Sequence, residues 1–110
     1  MTLSQKTGLS IEVLTAFCQK WQVAEFAIFG SALRPDFRPD SDLDVLITFF
    51  PQAPWTLLDL VTMQHELQQM VSRDVDLIEK RVVEKSDNWV RRNEILNTAQ
   101  VLYSQAYEPA

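Results

Sequence analysis

Residues 30–44 read Gly-Ser-Ala-Leu-Arg-Pro-Asp-Phe-Arg-Pro-Asp-Ser-Asp-Leu-Asp, and their types and spacing suit phosphate and metal chemistry. Gly30 lets the backbone approach a phosphate without a clashing Cβ. Ser31 adds a hydroxyl donor, and amides at the start of a helical turn favour an anion. Further on come two carboxylates, Asp42 and Asp44. Two positions apart in a strand, they face one side, roughly 6.6 Å apart at Cα for a rise of ~3.3 Å per residue. Carboxylates at that separation can converge on two Mg²⁺ ions ~3.5–4 Å apart. Because Mg²⁺ takes a few carboxylates plus phosphate oxygens and water, the stretch offers a seat for a nucleoside triphosphate and its metals. An isolated Gly-Ser would be a strand-ending turn and an isolated Asp-x-Asp an acidic loop. Both at this spacing, each at a strand end, carry the chemical reading.

The elements that must position these residues follow from periodicity and breakers. Residues 1–9 read as a loose N-terminal arm, after which Ser10 can cap a helix to about Gln19 or Lys20, with Ile11, Leu14 and Phe17/Cys18 inward. Residues 23–29 are a short apolar strand. Gly30-Ser31 ends it and opens one helical turn before Pro35, and residues 35–41 are a loop by composition. A second strand, residues 43–49, is apolar on both faces after Asp44, as suits a strand covered on both sides. Beyond Pro51 and Pro54, residues 55–71 carry Leu57, Leu60/Val61, Leu67 and Met70/Val71 at helical spacing, and residues 74–79 are a third strand. Ser86 or Asp87 can cap a last helix carrying Trp89, Ile95, Ala99 and Leu102/Tyr103 inward. The expected fold is α/β (α+β): a small mixed sheet of about three strands flanked by helices.

Topology then gathers the polar residues. If the first two strands are antiparallel neighbours, Gly30 and the Asp42/Asp44 pair share one edge of the sheet. The third strand follows a helical crossover and so runs parallel to the second, which brings its start to the same edge. Asp74 and Asp76 share a face there, and spacing alone does not choose between them. Asp76 is preferred as the third carboxylate because it lies within the apolar strand, between Val75 and Leu77, whereas Asp74 follows Arg73 at the strand's mouth.

Composition narrows the classes. With 110 residues the chain is expected to be one domain, 1–110, and its 46% hydrophobic and 23% charged content is ordinary for a soluble globular protein. A net charge of −5 argues against a general nucleic-acid binder. Cys18 is the single cysteine, which excludes an internal disulfide and a cysteine metal knot and reads as a buried inert thiol. With no secretory signal and no apolar stretch long enough for a bilayer, the expectation is a cytoplasmic protein without membrane contact.

Gly30-Ser31 followed by Asp42-Leu43-Asp44 resembles the signature of the DNA-polymerase-β-type nucleotidyltransferase superfamily, and the small size resembles its minimal nucleotidyltransferase (MNT) branch. The resemblance covers roughly residues 10–103, its specific part being 30–44 and Asp76. It implies that Asp42 and Asp44 hold both Mg²⁺ ions, that Asp76 is a further metal ligand that helps activate the acceptor hydroxyl, and that Gly30 and Ser31 contact the β- and γ-phosphates. Arg34 matches a position where the branch commonly has a basic residue; a phosphate contact and a surface salt bridge are equal readings. Members of the branch are typically encoded beside HEPN-domain proteins. The resemblance therefore implies transfer of AMP from ATP to a tyrosine of a HEPN ribonuclease toxin, an antitoxin role and a hetero-oligomer with that toxin, with no direct nucleic-acid binding. Two other readings stand beside it: a non-catalytic antitoxin that masks its toxin, and a small-molecule nucleotidyltransferase, for which 110 residues leave little room to build an acceptor pocket.

The remaining polar and aromatic residues read more plainly. His65 belongs to a solvated helix face. Arg91-Arg92 are surface charge, or reach a triphosphate or a partner's acidic patch. Trp21, Trp55 and Trp89 read as core or interface anchors, and Phe37 as a contact for either a base or a partner protein.

Overall fold

Strands form where apolar, β-branched and aromatic residues run together between breakers. In a computed structural model that describes residues 3–38 and 40–105, β1 (Val23–Phe29), β2 (Leu43–Phe49) and β3 (Val75–Glu79) lie where the pattern places them. β1 and β2 are antiparallel, with Phe29 opposite Asp44. β2 and β3 are parallel, with Asp44 opposite Asp76. The helix between them, α3 (Leu57–Val71), is the crossover that permits the parallel pairing. It starts two residues later than the apolar spacing suggests, because Asp59 anchors its first turn. The Asp59 carboxylate accepts from the Thr56 N–H at 2.8 Å and from the Thr56 hydroxyl at 3.0 Å.

The sheet has four strands, not about three. β4 (Gln100–Ser104) pairs antiparallel with β1, giving the order β3-β2-β1-β4. The segment expected to continue the last helix through Leu102 and Tyr103 therefore leaves it. α5 (Trp89–Thr98) ends before Ala99, whose backbone is extended, and Val101-Leu102-Tyr103 satisfies the open side of β1. α5 is capped by Asn88, whose side chain accepts from Arg91 N–H at 3.2 Å, rather than by Ser86 or Asp87. A short helix that the apolar spacing did not reveal, α4 (Lys80–Glu84), joins β3 to α5.

Residues 3–9, expected as a loose arm, instead carry α1 (Leu3–Thr7), with Thr7 and Leu9 buried; residues 1 and 2 lie outside the described residues. Ser10 caps α2 (Ile11–Lys20) as expected, accepting from Val13 N–H at 3.3 Å. Alternation along the strands then sorts the core onto two faces. Leu43, Val45, Ile47 and Val75 pack with Leu14 and Phe17 of α2 and Met63 and Leu67 of α3. Ala27, Phe29 and Leu46 pack on the other face with Val83 of α4 and Ile95 of α5. Cys18 is wholly buried and burial pushes its thiol up to about 12, so it is inert as expected. Trp21 and Trp55 meet edge to face with ring centroids 5.0 Å apart, anchoring the core. Trp89 does not: it is 63% exposed on the first turn of α5.

Candidate active site

Because residues alternate between faces, Asp44 shares the α4–α5 face with Leu46, and its register partner Asp76 shares that face with Ile78. Asp42, one position before β2, completes a carboxylate group at a single edge of the sheet, beside the turn that ends β1. Asp42 and Asp76 are exposed and Asp44 is half-buried. Burial raises the Asp44 carboxyl above its ordinary range, and the charges of Asp76 and Asp42 push the same way. A hydrogen bond from the Ser31 backbone and the positive charge of Arg91 pull it back down.

The turn and the carboxylates are bound to one another. Gly30 opens a 3₁₀ turn, Gly30–Leu33, with φ +69, a left-handed value that favours glycine. A Cβ built on it would collide with Asp44 Oδ2 and lie 3.3 Å from Asp44 Cγ. Glycine is required here twice over, by backbone and by space. The Ser31 hydroxyl donates to the Asp42 carbonyl at 2.9 Å. Ser31, expected as a phosphate donor, thus also ties the two halves of the site together.

An open hollow of about 290 Å³ lies beside the turn, walled by Gly30, Ser31, Arg34, Glu94, Ile95 and Thr98. Arg34 is exposed and also ion-paired with Asp36 at 3.4 Å, so both of its readings have a structural counterpart. Asp74 is exposed just before β3, and its carbonyl accepts from Leu43 N–H at 2.9 Å. His65 is exposed on α3, with the helix's packing side turned to the opposite sheet face, away from the carboxylates.

The donor set suits a hard divalent cation: carboxylate oxygens, partly solvated, with burial and then the neighbouring negative charges raising the Asp44 carboxyl. As the side chains stand, no group of three His, Cys, Asp or Glu among the described residues is gathered tightly enough to hold a metal ion by itself.

Two cations that the motif did not single out support the loop between the halves. Arg73 donates from Nη1 to the carbonyls of Arg38 at 3.1 Å and Ser41 at 3.3 Å, and its guanidinium lies 4.4 Å from the Phe37 ring centroid. Its Nε is buried without a hydrogen-bond partner among the described residues. Lys6 of α1 donates to the Ala32 carbonyl at 2.9 Å and approaches the Phe37 ring at 5.7 Å. Phe37 is therefore a structural ring within the loop. No local pattern signals these pairings, because the partners stand 26 to 36 positions away.

A mixed sheet with a glycine–serine turn ending one strand and aspartates opening its antiparallel neighbour is the layout of a nucleotidyltransferase domain. The chain belongs to the nucleotidyltransferase domain family, whose model matches residues 10–102. It is 35% identical over 65 residues to an inferred protein adenylyltransferase of Methanocaldococcus jannaschii, which covers 59% of this chain and 64% of that protein. The chain spans somewhat under two thirds of the length of the curated relatives it matches, 61% to 64%. A solved structure of an inferred minimal nucleotidyltransferase superposes with TM-score 0.63 at 26% identity, covering 91% of this chain and 95% of the other. A rebuilt structure of the tri-AMPylated Shewanella oneidensis HEPN toxin in complex with its MNT antitoxin matches with TM-score 0.56 at 15% identity, over 94% of this chain and 74% of the matched chain. At that identity the likeness is one of fold. No helix among the described residues is long and apolar enough to cross a membrane.

Proposed function

We propose that this chain is a single-domain, cytoplasmic nucleotidyltransferase that transfers AMP from ATP to a tyrosine hydroxyl of a HEPN-domain toxin and so acts as its antitoxin. The observation that carries the reading is the meeting of Asp42, Asp44 and Asp76 at one sheet edge, beside a turn whose glycine leaves room for the Asp44 carboxylate. The M. jannaschii relative is named for protein adenylylation, and the Shewanella toxin carries AMP in its complex; both support the choice of a protein acceptor.

In this reading Asp42, Asp44 and Asp76 would hold two Mg²⁺ ions. When bound, the ions supply positive charge against the phosphates and make the acceptor hydroxyl easier to deprotonate. Gly30, Ser31 and Arg34 border the space for the β- and γ-phosphates. The acceptor oxygen bonds to the α-phosphorus as the bond to the bridging oxygen breaks, pyrophosphate leaves on the Gly30–Ser31 side, and the hydroxyl proton passes by way of Asp76 to water. Arg91, whose charge reaches Asp44, offsets part of the negative charge gathered at the centre.

The test is intact-mass measurement of a candidate HEPN-domain partner after incubation with this chain, ATP and Mg²⁺. AMP-sized additions are expected with wild type. Asp42→Asn and Asp44→Asn are expected to lower the rate by on the order of a hundredfold or more while the circular dichroism stays native. Undiminished transfer by either variant would refute the assignment, and toxin neutralisation surviving both would favour masking.

A further inference from the structure

Ile95 of α5 stands between two hollows on the α4–α5 face of the sheet. One is the space beside the Gly30–Ser31 turn, toward β1. The other, about 180 Å³, opens toward β3 and is walled by Ile78, Val82, Val83 and Ile95, with Arg91 and Arg92 at its side. Ile78 follows Asp76 by two positions on the same strand face, so this second hollow begins roughly 6.6 Å along β3 from the third carboxylate.

We propose that this second hollow is the acceptor subsite and that it receives the aromatic ring of a tyrosine on a protein partner. The inference rests on the nucleotidyl-transfer reading and adds where the acceptor sits and what selects it. In-line displacement places the attacking and leaving oxygens on opposite sides of the reacting phosphorus. With pyrophosphate leaving toward the turn on β1 and the α-phosphorus at the β2 carboxylates, the hydroxyl enters from β3, where Asp76 and this hollow lie. The step balances: the phenolic oxygen bonds to phosphorus, the bond to pyrophosphate breaks, and the phenolic proton leaves to water.

The walls specify the side chain. Four aliphatic residues suit a flat apolar ring better than a serine or threonine. The half-buried Arg92 is already held, donating to the Ser86 carbonyl at 3.1 Å, whereas the exposed Arg91 side chain makes no hydrogen bond among the described residues and can lie against a ring while its charge still reaches Asp44. The surroundings suit a macromolecule. Val82 is 58% exposed, and the adjoining turn of α5 exposes Trp89 at 63% and Val90 at 58%, an apolar rim of the kind that marks protein contacts.

Val82→Trp, which fills the mouth, and Val82→Glu, which places a carboxylate there without bulk, change an exposed position and are expected to fold like wild type. The expected result in both is an acceptor KM raised by about tenfold or more, with the Kd for a non-hydrolysable ATP analogue and Mg²⁺ within about twofold of wild type. Unchanged acceptor KM in both variants, while wild type transfers AMP, would overturn this inference alone. Loss of analogue affinity with acceptor KM unchanged would overturn it too, by assigning the hollow to the nucleoside base. Failure of wild type to modify the HEPN-domain protein would overturn the nucleotidyl-transfer reading and this inference with it.

Discussion

Asp44 is held where a carboxylate is least comfortable. It is half-buried, faces two like charges, and is approached by the backbone so closely that Gly30 tolerates no Cβ. Folding thus raises its pKa, with burial the largest cause and Asp76 the next. An acid whose folded pKa exceeds its unfolded value binds its proton more tightly in the native state. Stability therefore falls as pH rises through the interval between the two, and the penalty remains at neutral pH. Asp44→Asn is expected to raise the Tm at pH 7 in metal-free buffer, the gain fading below about pH 4 where the unfolded carboxyl is itself protonated, while AMP transfer is lost. Thermal melts of both proteins from pH 3 to pH 8 measure this. A variant less stable than wild type at pH 7 would show that the Ser31 hydrogen bond outweighs burial and repulsion. Such a site gives up stability for function, which is why an acid with no ion-pair partner among the described residues sits at the start of an apolar strand.

At the level of elements, the turn after β1 and the strand β2 were legible because each is announced by local chemistry: a glycine–serine break, then an unbroken apolar run. The direction of β3 was legible too, since a helical crossover leaves it little choice but to run parallel to β2, which brings Asp76 to the edge that holds Asp44; the register that sets the two opposite each other was not. α1, α4 and β4 were not. α4 and α1 have five residues each, too short for a helical period to emerge. Val101-Leu102-Tyr103 fits a helix face as well as a strand until β1 is seen to have an open side. The loop that leads into Asp42, residues 35–41, was read as a loop but not as a pinned one, because its clamp, Arg73, lies just before β3. Arg73→Ala is expected to lower unfolding free energy by about 1.5–3 kcal/mol, the range for hydrogen bonds to a charged group. Arg73→Lys should recover only part, since an ammonium lacks the planar guanidinium that lies against the Phe37 ring. Urea unfolding of the three proteins checks the order, and equal stability of all three would dismiss the clamp.

At the scale of the whole molecule, the site is a seam. Its residues come from β1, β2 and β3, and the turn beside β1 is braced by α1 through Lys6, so whatever binds there ties together segments far apart in the chain. Net charge is −5, and three of the negative groups meet at this edge, so their mutual repulsion works against the fold and a cationic ligand works for it. A ligand that binds only the native state stabilises it by RT ln(1 + [L]/Kd), about 2.7 kcal/mol at a hundred times Kd. For a domain of this size that corresponds to about 10 °C in Tm. A non-hydrolysable ATP analogue with Mg²⁺ is therefore expected to raise the Tm by about that amount, and EDTA to cancel most of the rise. The analogue without the metal should do little, because its phosphates would meet the uncompensated carboxylates. The double variant Asp42→Asn/Asp44→Asn should also respond weakly, having lost the groups that would hold the metal. An equal shift in wild type and double variant would place the nucleotide elsewhere on the molecule, and the seam would then be a feature of the fold without a ligand of its own.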